Sequence, residues 1–118
     1  MEELLFLDVE ATGVEDEDRL CQVAYRINSI DCNEYFKPPL PIKFEAMAIT
    51  NITEKMVADK PKFKESITHN QLKELSQCGT IFVAHNAKYD LTMLAKEGIV
   101  FKNFICTLKV IRHLDDNG

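Results

Sequence analysis

Two acidic residues near the start of the chain have the type and spacing that metal-assisted chemistry requires. Asp8 and Glu10 end the apolar segment Leu4–Glu10, which is predicted to be a central β-strand covered by helices on both faces. Side chains two positions apart on a strand project from the same face, about 6–7 Å apart, and two buried like charges there need a neutralising cation. Oxygen ligands favour Mg²⁺ or Mn²⁺. The open alternative is that both carboxylates reach solvent at the strand end.

A third carboxylate, Asp90, follows another predicted strand. Thr80–Ala84 is predicted to be a short buried strand, and Asn86 is expected to cap a helix that continues to Glu97. Helical spacing places Asp90 on one inward stripe with the apolar residues Ala87, Leu91, Leu94 and Ala95. The helix dipole alone favours a carboxylate in the first turn, but an inward one needs a partner, which a metal ion shared with Asp8 would provide. Three carboxylates at two strand ends predict half of a two-metal phosphoryl-transfer site.

The elements that must position these side chains follow a mixed α/β order. The predicted strands are Leu4–Glu10, Arg19–Ile27, Cys32–Lys37, Thr80–Ala84 and Asn103–Cys106, with a hairpin turn at Asn28–Asp31. The predicted helices are Glu45–Ile49, Glu54–Ala58, Ser66–Gln77, Asn86–Glu97 and Thr107 to about Leu114. This order predicts an α/β sandwich whose mixed sheet begins with its antiparallel portion. The third helix is expected to bury Ile67, Leu72 and Leu75. His69 then lies on its solvent side.

Composition places the chain among ordinary globular domains. It has 118 residues, of which 46% are hydrophobic and 28% charged, and a formal net charge of −5. No apolar run approaches the roughly 20 residues of a transmembrane helix, so no membrane partner is expected. The four cysteines form no C-x-x-C pair and are expected to be reduced, with Cys21, Cys78 and Cys106 in apolar surroundings, which predicts a cytoplasmic protein. The net charge argues against holding nucleic acid by bulk charge. The acidic run Glu15–Asp18 is interpreted as a solvated loop.

The acidic motifs, in this order, resemble those of a known enzyme family. The segment L-D-V-E-A-T-G at residues 7–13 resembles the first motif of the DEDD 3′–5′ exonucleases (the DEDDh, DnaQ-like type), and H-N-A-K-Y-D at residues 85–90 resembles the second. Ala46–Thr53 resembles the segment that these enzymes place beside the terminal base. Glu54–Pro61 and Ile105–Lys109 are similar to one branch of the family in particular. The resemblance implies an RNase H-like three-layer α/β fold with a mixed five-stranded sheet.

The resemblance also implies a role for each matching residue. Asp8, Glu10 and Asp90 would be the catalytic metal ligands of a two-metal site holding Mg²⁺ or Mn²⁺. The residues implied in substrate binding are Ala11 and Thr12 through their backbone, Ile49 and Ile52 against the terminal base, and His85, Asn86 and Tyr89 near the scissile phosphate or terminal nucleotide. A hydrogen-bonded structural role for His85 and core packing for Tyr89 are the alternatives.

The implied reaction is hydrolysis of the 3′-terminal phosphodiester of DNA with release of nucleoside 5′-monophosphates. A metal-activated water would attack the phosphorus, while two cations stabilise the attacking and leaving oxygens. The implied partner is the 3′ end of single-stranded or frayed DNA. RNA is an alternative substrate, because no residue reads a 2′-hydroxyl unambiguously.

The third motif of the family has no counterpart after Asp90. It is a histidine general base in an H-x-x-x-x-D pattern, whereas the pattern that starts at His113 ends at Gly118, and Asp115 and Asp116 are interpreted as a polar helix end. We therefore expect a single exonuclease domain, residues 1–118, that lacks its C-terminal helix region and is alone inactive or severely impaired. An uncovered sheet face would favour self-association. The alternative is a non-catalytic nucleic-acid-binding or assembly module of the same fold.

Overall fold

The computed structural model of the protein describes residues 3–117, which form one five-stranded sheet and five α-helices. The strands are β1 (Leu4–Ala11), β2 (Leu20–Ile27), β3 (Ile30–Tyr35), β4 (Ile81–Ala84) and β5 (Phe104–Cys106). The helices are α1 (Phe44–Thr50), α2 (Glu54–Val57), α3 (Ile67–Gln77), α4 (Ala87–Lys96) and α5 (Thr107–Asn117), with a 3₁₀ turn at Phe63–Glu65. This order confirms the predicted one. Even the longest helices of the described chain, with 11 residues, are too short to cross a bilayer.

Most element boundaries lie within two residues of the predicted ones. The hairpin between β2 and β3 turns at two residues, Asn28 and Ser29, because Asn28 adopts the left-handed conformation (φ 55°) that asparagine tolerates. The last helix continues to Asn117 instead of ending near Leu114. Gly118 and the side chains of Asp115 and Asp116 lie outside the described part of the chain.

The sheet has the strand order β3-β2-β1-β4-β5, so β1 is its central strand. β1 pairs antiparallel with β2, and β2 with β3, whereas β4 lies parallel to both β1 and β5. The predicted mixed sheet with its antiparallel portion first is therefore confirmed. β1 pairs with β4 only over Leu4–Phe6. The second half of β1 consequently extends past the end of β4.

Only one face of β1 is buried. The prediction that helices cover both faces is therefore wrong, whereas the expectation of an uncovered sheet face is confirmed for the described residues. The alternate side chains from Leu5 to Val9 are at most 5% exposed and pack with residues of α3 and α4. On the opposite face, the side chains of Leu4 and Phe6 are 43% and 51% exposed. The helical layer expected over this face of β1 is not formed by residues 3–117. We call the sheet surface around Leu4 and Phe6 the open face.

α3 packs on the sheet with a narrower apolar stripe than its sequence predicts. Leu72 is buried and Leu75 partly buried, as predicted, but Ile67 is 75% exposed. Ser66 caps the helix by accepting a hydrogen bond from the backbone N–H of His69. This cap makes Ile67 the first helical residue, which lies outside the packed face.

The prediction that His69 faces solvent is wrong. Its ring packs edge-on against Phe63 with centroids 5.3 Å apart, and its Nε2 lies 2.8 Å from the carbonyl oxygen of Glu97. A distant residue at the end of α4 thus determines the environment of His69, which no local pattern could reveal.

All four cysteines are free thiols, and Cys21 and Cys106 are buried as predicted. Cys78, however, is exposed at the C-terminal end of α3, so the prediction of apolar surroundings fails there. Its neighbour Gly79 has a left-handed backbone (φ 77°) that ends the helix and turns the chain outward before β4 begins.

Candidate active site

The two acidic motifs meet where β1 extends past β4. β4 ends at Ala84, so the first turn of α4 lies beside the second half of β1. Asp90, in this turn, is 2% exposed, and its Oδ1 accepts a hydrogen bond from the backbone N–H of Val9 at 2.9 Å. A buried backbone N–H needs a partner. Asp90 supplies the acceptor that a longer β4 would otherwise have given to Val9.

A cavity of about 590 Å³ opens at this position. Asp8, Glu10 and Asp90 all line it, and Asp8 and Glu10 project from the same, more exposed face of β1, as predicted. Of the residues implied in substrate binding, Ala11, Ile49, His85, Asn86 and Tyr89 line the same cavity. The rest of the wall consists of Val9, Gly13, Val14, Glu15, Lys43, Glu45, Ala46 and Thr50.

The carboxylates in this cavity oppose one another's ionisation. Burial is the main reason that the pKa of Asp90 is raised from 3.8 to about 7, and the charges of Asp8 and Glu10 add to the effect against the lowering influence of the Val9 N–H. Burial, followed by the charge of Asp8, also raises the pKa of Glu10. The surroundings of the cavity therefore do not fully stabilise the ionised forms of Glu10 and Asp90.

The donor set fits a hard divalent cation. Asp8, Glu10 and Asp90 offer only carboxylate oxygens, and added positive charge would keep Asp90 ionised at neutral pH. Within the described residues, no three His, Cys, Asp or Glu side chains are close enough together to enclose an ion as they stand. Asp90 is held by the Val9 N–H, whereas Asp8 is exposed and Glu10 partly exposed, so the side chains of Asp8 and Glu10 are the less constrained of the three.

Ile52, implied as a contact for the terminal base, lies in the core instead. It is 1% exposed and packs in a small cluster with Ala46 and Val57. Its side chain therefore has no surface to offer to a nucleotide, and that implied role is wrong for this conformation. Ile49, three positions earlier, is 81% exposed at the rim of the cavity.

The implied backbone contact of Thr12 also fails. Its N–H donates to the carbonyl of Arg19 at 2.9 Å, and its own carbonyl accepts from the N–H of Lys43 at 3.0 Å. Its side chain is fully buried, and it does not line the cavity. Thr12 therefore fastens the β1–β2 loop to the residue before α1, while Ala11 forms part of the cavity wall.

The acidic run Glu15–Asp18 contains a buried residue that orders this wall, so its interpretation as a wholly solvated loop is wrong. The carboxylate of Asp18 has no exposed surface and accepts hydrogen bonds from Thr12 Oγ1 (2.7 Å), the Glu15 N–H (2.9 Å) and Lys43 Nζ (2.8 Å). Burial disfavours its charge, but these donors together lower its pKa. Lys43 comes from 25 positions away, which is why the sequence pattern missed the network.

Gly13 is the one sequence signal of this buried network. A Cβ atom at Gly13 would lie 2.3 Å from Asp18 Oδ2 and 2.9 Å from Lys43 Cδ, which are impossible contacts. The close approach of these two side chains, and not an unusual backbone angle, requires glycine here.

Lys43 lies in the cavity wall, but its positive charge is already paired with two carboxylates. Hydrogen bonds to Asp18 (2.8 Å) and Glu17 (2.9 Å) raise its pKa. The remaining charged side chains of the wall are carboxylates. The cavity is consequently acidic, which favours cations over direct binding of a phosphate by the protein.

His85 and Asn86 form the rim between β4 and α4. His85 Nδ1 lies 2.9 Å from Thr107 Oγ1, so the exposed imidazole is both hydrogen-bonded and adjacent to the cavity. Asn86 occupies the N-cap position of α4, but it has a left-handed backbone (φ 61°) and its side chain makes no capping hydrogen bond. The expected side-chain cap is therefore wrong. Asn86 instead provides the sharp turn that brings α4 back toward β1.

Tyr89 combines core packing with exposure to the cavity. It is partly buried against the main hydrophobic core, as its alternative interpretation predicted, and it also lines the cavity. Burial, followed by the charges of Glu10 and Asp90, raises its pKa to about 12. The phenol therefore stays protonated and can donate a hydrogen bond at neutral pH.

The far end of α4 is fastened to the same loop that forms the cavity wall. Arg19 binds Glu97 through Nε–Oε2 (2.5 Å) and Nη2–Oε1 (3.0 Å), and Lys96 Nζ donates to the carbonyls of Asp18 (2.8 Å) and Glu15 (3.2 Å). These contacts were not apparent from the sequence. They hold α4, and hence Asp90, in a fixed position relative to β1.

The chain has an RNase H-like α/β fold, with a mixed sheet whose central strand ends in an acidic cavity. The sequence matches the family model described as Exonuclease over residues 5–116, and the chain belongs to this exonuclease family. The family predicted from the two acidic motifs is therefore confirmed.

The relatives agree with the predicted branch, that of exonuclease X. Exodeoxyribonuclease 10 of Escherichia coli (strain K12) is 41% identical over 78 residues, which are 66% of this chain and 31% of that protein. A structure of exonuclease X in complex with 5′ overhanging duplex DNA matches with a TM-score of 0.71 and 32% identity over 94% of this chain and 63% of that one. The chain thus spans about a third of the length of this curated relative.

A more distant structure shows the fold alone. E. coli exonuclease I in complex with a dA16 oligonucleotide matches with a TM-score of 0.79 over 96% of this chain and 29% of that one, at 18% identity. The predicted five-stranded mixed α/β fold is confirmed by this similarity and by the sheet order.

Proposed function

We propose that this chain is a metal-dependent 3′–5′ exonuclease, or the N-terminal portion of one, that hydrolyses the 3′-terminal phosphodiester of DNA and releases nucleoside 5′-monophosphates. The observation that carries the proposal is the meeting of Asp8, Glu10 and Asp90 in one acidic cavity of about 590 Å³ beside the end of the central strand. Membership of the exonuclease family supports it. The DNA in the related exonuclease X structure supports the choice of substrate.

In this proposal Asp8, Glu10 and Asp90 would hold the Mg²⁺ or Mn²⁺ ions of a two-metal site. Such a pair of ions supplies a reactive water and stabilises the attacking and leaving oxygens of the phosphodiester. The bond from the Val9 N–H holds Asp90 in place before the ions bind. Bound divalent ions would offset the charge of these carboxylates, which would allow a phosphate to approach them.

The other cavity residues position the terminal nucleotide. Ile49, which is 81% exposed, offers apolar surface to the terminal base, replacing stacking lost from the strand. His85 and Asn86 lie near the scissile phosphate, with the imidazole oriented by Thr107. Tyr89 donates from its phenol to the nucleotide, and the backbone of Ala11 forms the floor beneath it.

A non-catalytic module of the same fold is the second candidate. The observation that favours it is that, among the residues the structure describes, no three His, Cys, Asp or Glu side chains are close enough together to enclose an ion as they stand. Such a module would bind DNA ends through the same cavity without releasing mononucleotides.

We further propose that the open face binds a second copy of the chain and that the protein acts in the cytoplasm. The exposure of Leu4 and Phe6 on β1, and of Ile105 on the edge strand β5, supports self-association. The free state of all four cysteines supports a reducing compartment.

The direct test uses a single-stranded DNA oligonucleotide labelled at its 5′ end, with Mn²⁺, and follows shortening from the 3′ end together with release of mononucleotides. We expect Asp8→Ala to abolish this activity, whereas Glu74→Ala, which changes an exposed glutamate on α3, leaves it unchanged. Activity that persists in Asp8→Ala refutes the metal assignment. Metal-dependent binding without any shortening establishes the non-catalytic module instead.

A further inference from the structure

Four lysines gather on one surface of this acidic chain. Lys60, Lys62 and Lys64 alternate in the segment K-P-K-F-K, and Lys37 follows the end of β3. All four are exposed. The backbone N–H of Lys37 donates to the carbonyl of Pro61 at 2.9 Å, which joins Lys37 to the segment. We call these four residues the lysine patch.

The backbone beneath the lysine patch is fixed by the core. Phe63 is 4% exposed, and its ring packs edge-on against Phe36 with centroids 5.0 Å apart. The N–H of Lys60 donates to the carbonyl of Val57 at 3.1 Å. The lysines are therefore displayed from an ordered segment, and a ligand does not have to order that backbone.

The charges of the lysine patch are not used within the described part of the protein. The ion pairs found there involve Arg19, Arg26 and Lys43, and none involves the four patch residues. The exposed carboxylates of Asp59 and Glu65 flank the segment, so four lysines against two acids leave a local excess of positive charge in a chain of net charge −5. Such a surface fits a polyanion.

α1 connects the acidic cavity to the chain segment that carries the lysine patch. Ala46 of α1 lines the cavity and also packs in the cluster that contains Val57, the last residue of α2, three positions before Lys60. Three residues span at most about 10–11 Å, so Lys60 lies within that distance of Val57 and of the cluster behind the cavity wall. At about 3.4 Å per nucleotide of a stacked strand, the patch begins within reach of phosphates a few nucleotides from an end held in the cavity.

We propose that the lysine patch binds the phosphodiester backbone of the strand whose 3′ end enters the cavity. The inference rests on the proposed exonuclease function and adds a second contact region to it. It resolves the conflict between an acidic cavity and a polyanionic substrate, because cations hold the terminal phosphate while lysines hold the strand behind it. Substrate affinity should then depend on strand length and on salt.

The test compares two triple variants of the full chain by fluorescence anisotropy with a labelled single-stranded 12-mer in EDTA. One variant, Lys60→Gln with Lys62→Gln and Lys64→Gln, removes the segment's charges. The control, Lys73→Gln with Lys102→Gln and Lys109→Gln, removes three exposed lysines elsewhere. Each phosphate contact contributes about 0.7 to the slope of log K against log salt, so we expect the patch variant to lower the slope by about 2 and the control to leave it unchanged.

A minimal substrate separates this proposal from the proposed function. The p-nitrophenyl ester of thymidine 5′-monophosphate fills only the cavity, so its Mn²⁺-dependent hydrolysis should be lost in Asp8→Ala and unchanged in the patch variant. An unchanged slope in the patch variant, or no binding of the 12-mer by the natural chain, overturns the lysine patch. Polyglutamate is tested as a second labelled ligand. If the patch variant loses binding to polyglutamate while its binding to the 12-mer is unaffected, the proposal is overturned in favour of an acidic protein partner. A reduced slope in the patch variant, together with no ester hydrolysis by the natural chain, supports the lysine patch and refutes the proposed exonuclease activity.

Discussion

The carboxylate of Asp90 and the backbone N–H of Val9 are joined by a 2.9 Å hydrogen bond across 81 positions of sequence. The bond gives Asp90 two duties, since it completes the hydrogen bonding of β1 and holds a negative charge beside Asp8 and Glu10. An asparagine keeps an acceptor oxygen for Val9 while removing the charge. The two duties can therefore be measured separately.

The first prediction concerns the pH dependence of stability through Asp90. Its pKa is about 7 in the folded protein against an ordinary 3.8, so ionisation favours the unfolded state. The stabilising contribution of the protonated form is complete below pH ~4 and is lost as the pH rises through 7. We expect Asp90→Asn to flatten the decline in the free energy of unfolding between pH 5 and pH 8, measured by urea denaturation in EDTA.

The control for that measurement is Asp59→Asn, which changes an exposed aspartate and should leave the pH profile of the natural chain intact. Mn²⁺ should stabilise the natural chain more at pH 8 than at pH 5, because the cavity binds cations in its ionised form. A profile of Asp90→Asn that parallels the natural one would show that Asp90 is not the titrating group.

The second prediction distinguishes the roles of Ile52 and Ile49, which lie three positions apart in the chain. Ile52→Ala should lower the free energy of unfolding by about 2–5 kcal/mol, because it leaves a cavity in a buried cluster. Ile49→Ala should change it by less than about 0.5 kcal/mol, since the side chain is 81% exposed. In oligonucleotide binding with Mn²⁺ the order should reverse, with Ile49→Ala weakening affinity. Equal stabilities of the two variants would contradict the observed burial.

The third prediction concerns the close approach at Gly13. Gly13→Ala should destabilise the protein by about 1–3 kcal/mol, because the new methyl group displaces Asp18 or Lys43. Gly79→Ala serves as a comparison, since nothing lies within 4 Å of its added Cβ and only its backbone conformation (φ 77°) resists the change. Both should lower the melting temperature. Only Gly13→Ala should also reduce Mn²⁺ binding, measured by titration calorimetry, because it disturbs the cavity wall.

The fourth prediction concerns the open face. Phe6→Glu should shift the protein toward monomers in sedimentation velocity and reduce binding of an apolar dye, because it places a charge in the exposed apolar surface of β1. Ile67→Glu changes an equally apolar, 75% exposed residue on α3 and should have neither effect. A natural chain that sediments as a monodisperse monomer without binding dye would exclude self-association through this face.

The parts of the site that depend on local periodicity could be predicted from the sequence. Alternation along β1 is enough to place Asp8 and Glu10 on one face, and helical spacing is enough to turn Asp90 inward. The mixed sheet with its antiparallel portion first followed from the order of the elements along the chain. These are properties of consecutive residues, which is why a single sequence reveals them.

The parts that depend on distant partners could not be predicted. Asp18 is buried where Lys43 and Thr12 donate hydrogen bonds to it, and His69 is partly buried where its ring contacts the carbonyl of Glu97. Ile52 and Ile49 are the same residue type three positions apart, and only the packing of the loop after α1 separates core from rim. Tertiary contacts thus decided each of these cases, and they leave no periodic trace in the sequence.

The short length of β4 determines where α4 begins along β1, and therefore where Asp90 lies. Each residue added to a strand advances the chain by about 3.3 Å, so two extra residues would carry the start of α4 about 6–7 Å along β1 and offer a main-chain acceptor to Val9 in place of Asp90. The three carboxylates would all persist in such a chain, yet they would no longer share one cavity. Insertions near Ala84 are therefore more damaging than many substitutions, and in sequences of this kind the spacing between β4 and its aspartate is as informative as the aspartate itself.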